Sequence, residues 1–382
     1  MRKQLANKYS NEFKRKKILS LDGGGVRGAL TLGYLEQIEK LLRDREKNES
    51  LVLADYYDLI GGTSTGAIIA ACLSKGMSVQ KVIELYKSLG VEVFGKKNSW
   101  LPRTWTTCRS ILKSTYKTEN IERVLKKELG ETTLGDYDDF CCPVAIFAKR
   151  ADTFSLWMVS NHKDGIYSDA NAHLKLWELC RASSAAPYYF QPKAITIQRR
   201  NKQNQDAVFI DGGVSLANNP ALQLFLVVTI PTFGYQWSAG EDNLFITSLG
   251  TGSGVSKDPV EDIVNRRAIE WVSKIPDLFM TDAQEMSQVF LQLFGNNLGS
   301  SEKIDSQLVE LEKLKLIDKK LFTFTRFNVE MTSKDLAEKY EIKKTDAEVY
   351  SLLQMDYYEN IDELLEIGRT ASAVIADKHL PI

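Results

Sequence analysis

The pattern of this chain predicts an α/β fold, a mostly parallel sheet covered by helices on both faces. Three observations predict it. Short apolar runs of strand length alternate with helical periods over the first two-thirds of the sequence. One helical run, Ala67 to Leu73, is apolar all round, as a buried helix is. Several of the strands end in glycine-rich turns.

Taken in order, Lys17–Leu21 is the first strand, bounded by Asp22 and three glycines. Ala29 to Leu42 follows with apolar residues at Leu32, Leu35, Ile38 and Leu42, a helical period. Tyr57–Ile60 is the second strand and stops at Gly61-Gly62; the buried helix after it ends at Lys75-Gly76. Pro143 to Ala148 and Thr153 to Val159 read as a strand pair, and Ala170 to Ser184 as a helix ending before Pro187. Ile195–Ile197 and Ala207–Ile210 flank the polar loop RRNKQNQ, a second hairpin. Leu244 to Leu249, closed by Gly250-Thr251-Gly252, is the last strand expected. From Asp258 onward the chain reads as helical and charged, with no motif and no internal repeat. The divisions expected are a basic segment at 1–16, an α/β body at 17–255 and a helical C-terminal region at 256–382.

The 382 residues suffice for one large domain with additions or two modest ones. Lys and Arg total 49 against 50 Asp and Glu, so no global field draws the molecule onto a polyanion. Cys72, Cys108, Cys141, Cys142 and Cys180 are odd in number and lack metal-ligand spacing, which fits a reducing compartment better than a disulfide framework. The start, MRKQLANKYSNEFKRKK, has no apolar core of a secretory signal, and the greasy stretch Ala221 to Ile230 is too short to cross a bilayer. A cytoplasmic protein without metal or cofactor is the expectation.

Three motifs carry chemistry. Gly62-Thr63-Ser64-Thr65-Gly66 fits GxSxG between a β-branched strand and a buried helix, the setting of a nucleophile elbow. Its alternative is a Gly-Thr-rich helix cap. Asp22-Gly23-Gly24-Gly25-Val26-Arg27-Gly28 fits GxGxxG, so a dinucleotide-binding loop is one reading. That reading wants an acidic residue roughly 20 positions on, at the end of the next strand, where this chain has the polar stretch Arg43–Ser50. The other reading is a nest of N–H groups for an oxyanion, with Arg27 bracing the loop or meeting a phosphate. Asp211-Gly212-Gly213 ends a strand and in isolation is an ordinary turn. It gains weight because the only histidines, His162, His173 and His379, sit in a polar turn, on a helix and three residues from the end. A Ser64 nucleophile would need a base other than histidine.

The ordered blocks ILSLDGGGVRG, DLIGGTSTGAIIA, ASSAAPYYF (Ala182 to Phe190), DGGVSLANNP and SLGTG resemble the patatin-like phospholipases, from about Lys17 to Gly254. The resemblance implies a three-layer sandwich with a mostly parallel central sheet and a catalytic Ser-Asp dyad without histidine. It implies Ser64 as nucleophile, Asp211 as base, and an oxyanion hole from Gly23, Gly24, Gly25, Arg27 and Gly28 with the Thr65 N–H. Gly24 and Gly25 are its expected main donors, and Gly62, Gly66, Gly212 and Gly213 shape the turns. The implied substrate is a fatty-acyl ester of a membrane phospholipid, and the C-terminal third does not visibly follow the plant storage-protein pattern. Some bacterial members are switched on by cyclic dinucleotides in antiphage defence, so such an activator is a further expectation, although no nucleotide site is legible.

Membrane contact is expected at Phe94–Thr118, where Lys96, Lys97, Arg103, Arg109, Lys113 and Lys117 interleave with Phe94, Trp100, Trp105 and Tyr116 without an acidic residue. The alternative is that these aromatics pack on the body. Seven basic residues among the first 17 would assist the contact. Two rival functions are a nucleotide-binding module, which leaves Ser64 and Asp211 unexplained, and a non-catalytic protein that keeps the fold.

Overall fold

A computed structural model describes residues 3–10, 15–95, 116–199, 201–254, 260–299, 304, 308, 310–314 and 316–381, with the side chains of 268, 269, 272, 273, 276 and 277 left aside. Its centre is a nine-stranded sheet. The strands are β1 (Lys16–Leu21), β2 (Leu59–Thr63), β3 (Val144–Arg150), β4 (Leu156–Ser160), β5 (Lys193–Gln198), β6 (Asn204–Asp211), β7 (Leu244–Leu249), β8 (Gly295–Asn297) and β9 (Phe322–Phe327). Their order is β5-β6-β3-β2-β1-β7-β9-β8, with β4 against β3. The run from β3 to β8 is parallel, and β4, β5 and β6 are antiparallel additions. The chain steps from β1 to β2 to β3 on one side and later returns to place β7 on the other. Ligand crevices form where strand order reverses in this way, at the carboxyl ends.

β2 shows why the sheet is covered on both faces. Successive strand residues face opposite ways. A side chain on Gly61 would run into Leu224 of the helix Ala221–Thr229, and one on Gly62 into Gly66 of the helix Thr65–Ser74. The two helices therefore sit on opposite faces, and the glycines let both come close. β1, β2, β7 and β9 are buried along nearly their whole length; β2 and β7 accordingly read as runs of apolar and small residues rather than as an alternation with charged ones.

For the helices used below we write α1 (Lys3–Tyr9), α2 (Gly28–Glu46), α3 (Thr65–Ser74), α4 (Val79–Phe94), α5 (Ala221–Thr229), α6 (Ala268–Phe294) and α7 (Ile361–Ala371). The strand read as Tyr57–Ile60 starts at Leu59 and continues through both glycines to Thr63. Glycine at these two positions serves close packing and does not stop the strand. The helix read as Ala170 to Ser184 is two, Ser168–Asn171 and Leu176–Ser183. Between them the backbone pairs with another segment, Leu134 N–H to Leu174 O and Leu176 N–H to Thr132 O.

The C-terminal third is not helical throughout: β8 and β9 join the sheet beside β7. The run FTFTRF of β9 is buried at every position, and the charged segments around it hid its strand character. The end of the chain is tied down rather than frayed, since Leu380 O accepts from Arg45 at 2.6 Å and Pro381 O from the Tyr56 hydroxyl at 2.6 Å.

Two of the basic residues expected to assist membrane contact are structural. Lys8 and Lys16 are buried; Lys8 Nζ donates to Tyr57 O at 2.6 Å and Lys16 Nζ to Asn7 O at 3.1 Å. Phe94 and Tyr116, at the ends of the basic-aromatic segment, are buried and pack edge-on at 4.9 Å. Lys96, Lys97, Trp100, Arg103, Trp105, Arg109 and Lys113 lie outside the described residues. No described helix is long and apolar enough to cross a membrane.

Candidate active site

β2 ends at Thr63 and α3 begins at Thr65, so Ser64 alone makes the turn. Its backbone has φ 55 and ψ −121, a conformation a residue with a side chain adopts only when its surroundings impose it. Here they do. A side chain at Gly62 would strike the Gly66 carbonyl, and one at Gly66 would strike Leu21 O and Asp22 O. Both glycines of GxSxG are thus required by backbone approach. The Ser64 N–H donates to Ser183 Oγ at 2.8 Å, and Ser183 Oγ donates to Phe147 O at 2.6 Å, fixing the turn against β3.

Asp211 reaches the same place from β6. Ser64 Oγ donates to Asp211 Oδ2 at 2.6 Å, and both residues are buried. The other carboxylate oxygen, Oδ1, accepts the Gly213 N–H at 2.6 Å, capping a short 3₁₀ turn, Gly212–Val214. Gly212 is needed because a side chain would meet Phe147 O at 2.5 Å. Burial pushes the Asp211 carboxyl up to about 6, while Ser64, the Gly213 N–H and the buried Arg181 guanidinium pull it down. An aspartate so poised can take a proton from a serine hydroxyl near neutral pH.

The glycine loop follows β1. Asp22 forms a fully buried pair with Arg326 of β9, at 2.7 and 3.0 Å. Beyond it nearly every backbone group is spoken for. Gly23 N–H donates to Asn218 O at 3.0 Å, and Gly23 O accepts from the Thr251 hydroxyl at 3.0 Å. Gly24 O accepts from Arg27 Nε at 3.3 Å, and Gly25 O from the Tyr86 hydroxyl. Val26 N–H donates to Met355 O at 2.9 Å, Arg27 N–H to Gly24 O at 3.2 Å, and Gly28 N–H to Gly25 O and Val26 O. Among the described residues the N–H groups of Gly24 and Gly25 have no such partner. Gly25 has φ +61, and a side chain there would collide with Met355 O. Two unengaged amides on a rigidly held loop are what a developing oxyanion needs. Arg27 braces the loop, its guanidinium bonding Gly24 O and Gly252 O at 3.3 Å each. Thr65, the first residue of α3, adds a helix N-terminus beside Ser64.

Ser64, Asp211, Gly24 and Gly25 open onto one cavity of about 660 Å³. Ile68, Leu89, Phe94, Ile121, Phe190 and Ile361 give it apolar walls, which suit a hydrocarbon chain. No histidine lines it. His162 is buried against Tyr9 and Tyr235, His379 packs on Phe327, and His173 faces Thr196 O. The dinucleotide reading fails on geometry, because Arg43–Glu46 continues α2 and the next strand ends at Thr63-Ser64 with no carboxylate.

Every site residue expected from the sequence surrounds this cavity or shapes its turns. Ser183, Arg181, Asn218, Tyr86, Met355 and Arg326 were missed. The signal for Arg326 was an arginine inside an aromatic strand, FTFTRF. Ser183 and Asn218 stand inside two of the ordered blocks, but nothing there marks their roles, because their partners lie far along the chain; Arg181, Tyr86 and Met355 have no signal of their own.

The family model described as Patatin-like phospholipase matches residues 19–225. Patatin-2-Kuras 3 of Solanum tuberosum is 26% identical over 354 residues, covering 85% of this chain and 86% of that protein. Patatin-04/09 of the same plant is 26% identical with the same coverage of each. Such spans reach into the C-terminal third, beyond Gly254 where the legible blocks stop. Among solved structures, the human GIVD cytosolic phospholipase A2 is similar at TM-score 0.48 and 10% identity, over 99% of this chain and 62% of that one. VipD from Legionella pneumophila is similar at TM-score 0.32 and 14% identity, over 92% and 67%.

Proposed function

The chain belongs to the patatin-like phospholipase family and is a lipid acyl hydrolase in general class; from that premise we propose that it cleaves fatty-acyl esters of membrane phospholipids by a Ser64–Asp211 dyad. The observation that carries this reading is the 2.6 Å hydrogen bond from the Ser64 hydroxyl to a buried carboxylate whose proton affinity is raised. Asp211 accepts the hydroxyl proton as Ser64 attacks the ester carbonyl. The tetrahedral oxyanion is held by the Gly24 and Gly25 amides, with the Thr65 N–H at the helix start as a third donor. Collapse expels the alcohol, which takes the proton back from Asp211 and leaves an acyl-serine. Water then gives a proton to Asp211 and its hydroxyl to the acyl carbon, and as the fatty acid leaves, Asp211 returns that proton to Ser64 Oγ, restoring both residues. No histidine takes part in this sequence.

Ser64→Ala and Asp211→Asn are each expected to lower phospholipid hydrolysis by a factor of about 10⁴ or more, with the fold retained. A fluorophosphonate probe should label the wild-type protein on Ser64. Hydrolysis persisting in purified Ser64→Ala protein would refute the dyad, and labelling without hydrolysis of any lipid would favour a non-catalytic role. In regulation we carry forward a cyclic-dinucleotide activator and peripheral membrane contact as proposals. The same assay run on anionic vesicles, with and without a cyclic-dinucleotide panel, tests both.

A further inference from the structure

Asn218 is, with Thr65, one of the buried polar residues beside the dyad whose side chain has no hydrogen-bond partner among the described residues. Its side chain is fully buried, and among the described residues neither its amide oxygen nor its amide nitrogen has a hydrogen-bond partner. Burying an amide without a partner is costly, because it gives up its bonds to water and gains none in return. Native proteins seldom keep such a group without a use for it. The Asn218 backbone, by contrast, is fully engaged, donating to Ser215 O at 3.2 Å and accepting from Gly23 N–H at 3.0 Å. A firmly held backbone thus presents an amide with nothing to bond.

Two glycines show where that amide points. Asn218 Oδ1 lies 2.6 Å from the place a Cβ on Gly23 would occupy, and Ser64 Cβ lies 3.3 Å from the same place. Oδ1 also lies 3.0 Å from the Cβ position of Gly213, as does Asp211 Oδ1. The amide oxygen therefore lies close to the carbon that carries the Ser64 hydroxyl and to the Asp211 carboxylate.

Asn218 also stands where two cavities meet. One is the apolar cavity of the active site. The other, about 560 Å³, is lined by Arg27, Arg266, Lys274, Asp282 and Glu330 among others, and Asn218 lines it too. An ester with a hydrocarbon acyl half and a charged alcohol half matches this pair of spaces. Its scissile bond would then lie at their junction, beside the amide.

We propose that Asn218 is a further catalytic residue, whose side-chain amide, with its N–H end turned to the place Oδ1 holds in the free protein, donates to the reacting ester while the acyl chain occupies the apolar cavity and the polar alcohol half the charged one. This rests on the Ser64 reading above. The substrate supplies the partner that the folded protein does not, so the hydrogen bond is made only when ester is bound and strengthens as charge develops on oxygen.

Asn218→Leu tests it, since leucine keeps the shape and removes the amide. Replacing an unpartnered buried polar group by an apolar one of similar shape is neutral or stabilising. The expected result is a melting temperature at or above wild type, together with a fall in kcat/KM of about 10²-fold, mostly in kcat, both on phosphatidylcholine–phosphatidylglycerol vesicles and on p-nitrophenyl butyrate. Asn218→Ala, assayed alongside, is expected to lose activity to a similar degree and carries the test if the leucine protein does not fold. Wild-type rates in either folded variant overturn the proposal. So does a loss of activity that only tracks a lowered melting temperature, which would mark Asn218 as a packing residue. Ser64→Ala serves as the separate control: if it stays active the dyad fails, whereas an inert Ser64→Ala beside a fully active Asn218→Leu removes only the role of Asn218.

Discussion

The Asp211 carboxyl sits near 6 because burial outweighs the Ser64, Gly213 and Arg181 contributions that favour its charged form. Below that pH it is protonated and cannot accept the Ser64 proton, so kcat/KM should rise with pH through one ionisation near 6 and level off above it. A pH–rate profile checks this. The same shift has a consequence for stability. The folded value lies above the unfolded one of ~3.9, so the folded state binds the proton more tightly, and that stabilisation is lost as pH rises through about 6. Ionised Asp211 then costs the fold on the order of 3 kcal/mol. Asp211→Asn should therefore melt above wild type at pH 8, with the gap closing as pH falls from about 6 towards about 4. Thermal melts across that range measure it. Ser64 and Asp211 were legible in the sequence because each stands in a short contiguous motif with its glycines. Ser183, which holds the Ser64 N–H, was not, because its role is set by a partner 119 positions away.

Helix α2 begins where the glycine loop ends, so its seat determines where the loop lies. It crosses α7 at a pair of glycines. A side chain on Gly33 would meet Arg369 N at 2.5 Å, and one on Gly368 would meet Leu30 O. Arg369 and Glu36 close the crossing with an ion pair at 2.6 and 3.0 Å. Gly33→Val should cost about 1–3 kcal/mol through overpacking and lower activity as well, because α2 cannot move without Gly28 and Arg27. Urea denaturation and the esterase rate report the two effects. The apolar period of α2 was legible in the sequence, as were β1 and β7, since each is a local run with a single pattern. The close crossing was not, because a glycine in a helix does not announce which helix it meets. β9 was missed for a related reason: six residues of Phe, Thr and Arg read as a strand only once β7 is known to lie alongside.

On the scale of the whole molecule, the loop that carries Gly24 and Gly25 is held by groups from widely separated parts of the chain. Tyr86, Asn218, Thr251, Arg326 and Met355 all bear on it or on Asp22. Arg326 is the most consequential, because removing it leaves Asp22 charged and buried beside the loop. Arg326→Met should lower stability by about 3–5 kcal/mol, and adding Asp22→Leu should recover much of that loss. Equilibrium unfolding of the single and double variants measures both. A ribosome has released the serine, the aspartate and every glycine of the site well before it reaches residue 355. Until that last stretch emerges and docks, the loop lacks the carbonyl that fixes the Val26 amide, so a growing or prematurely ended polypeptide would carry the full set of reactive groups with their anion cradle still incomplete.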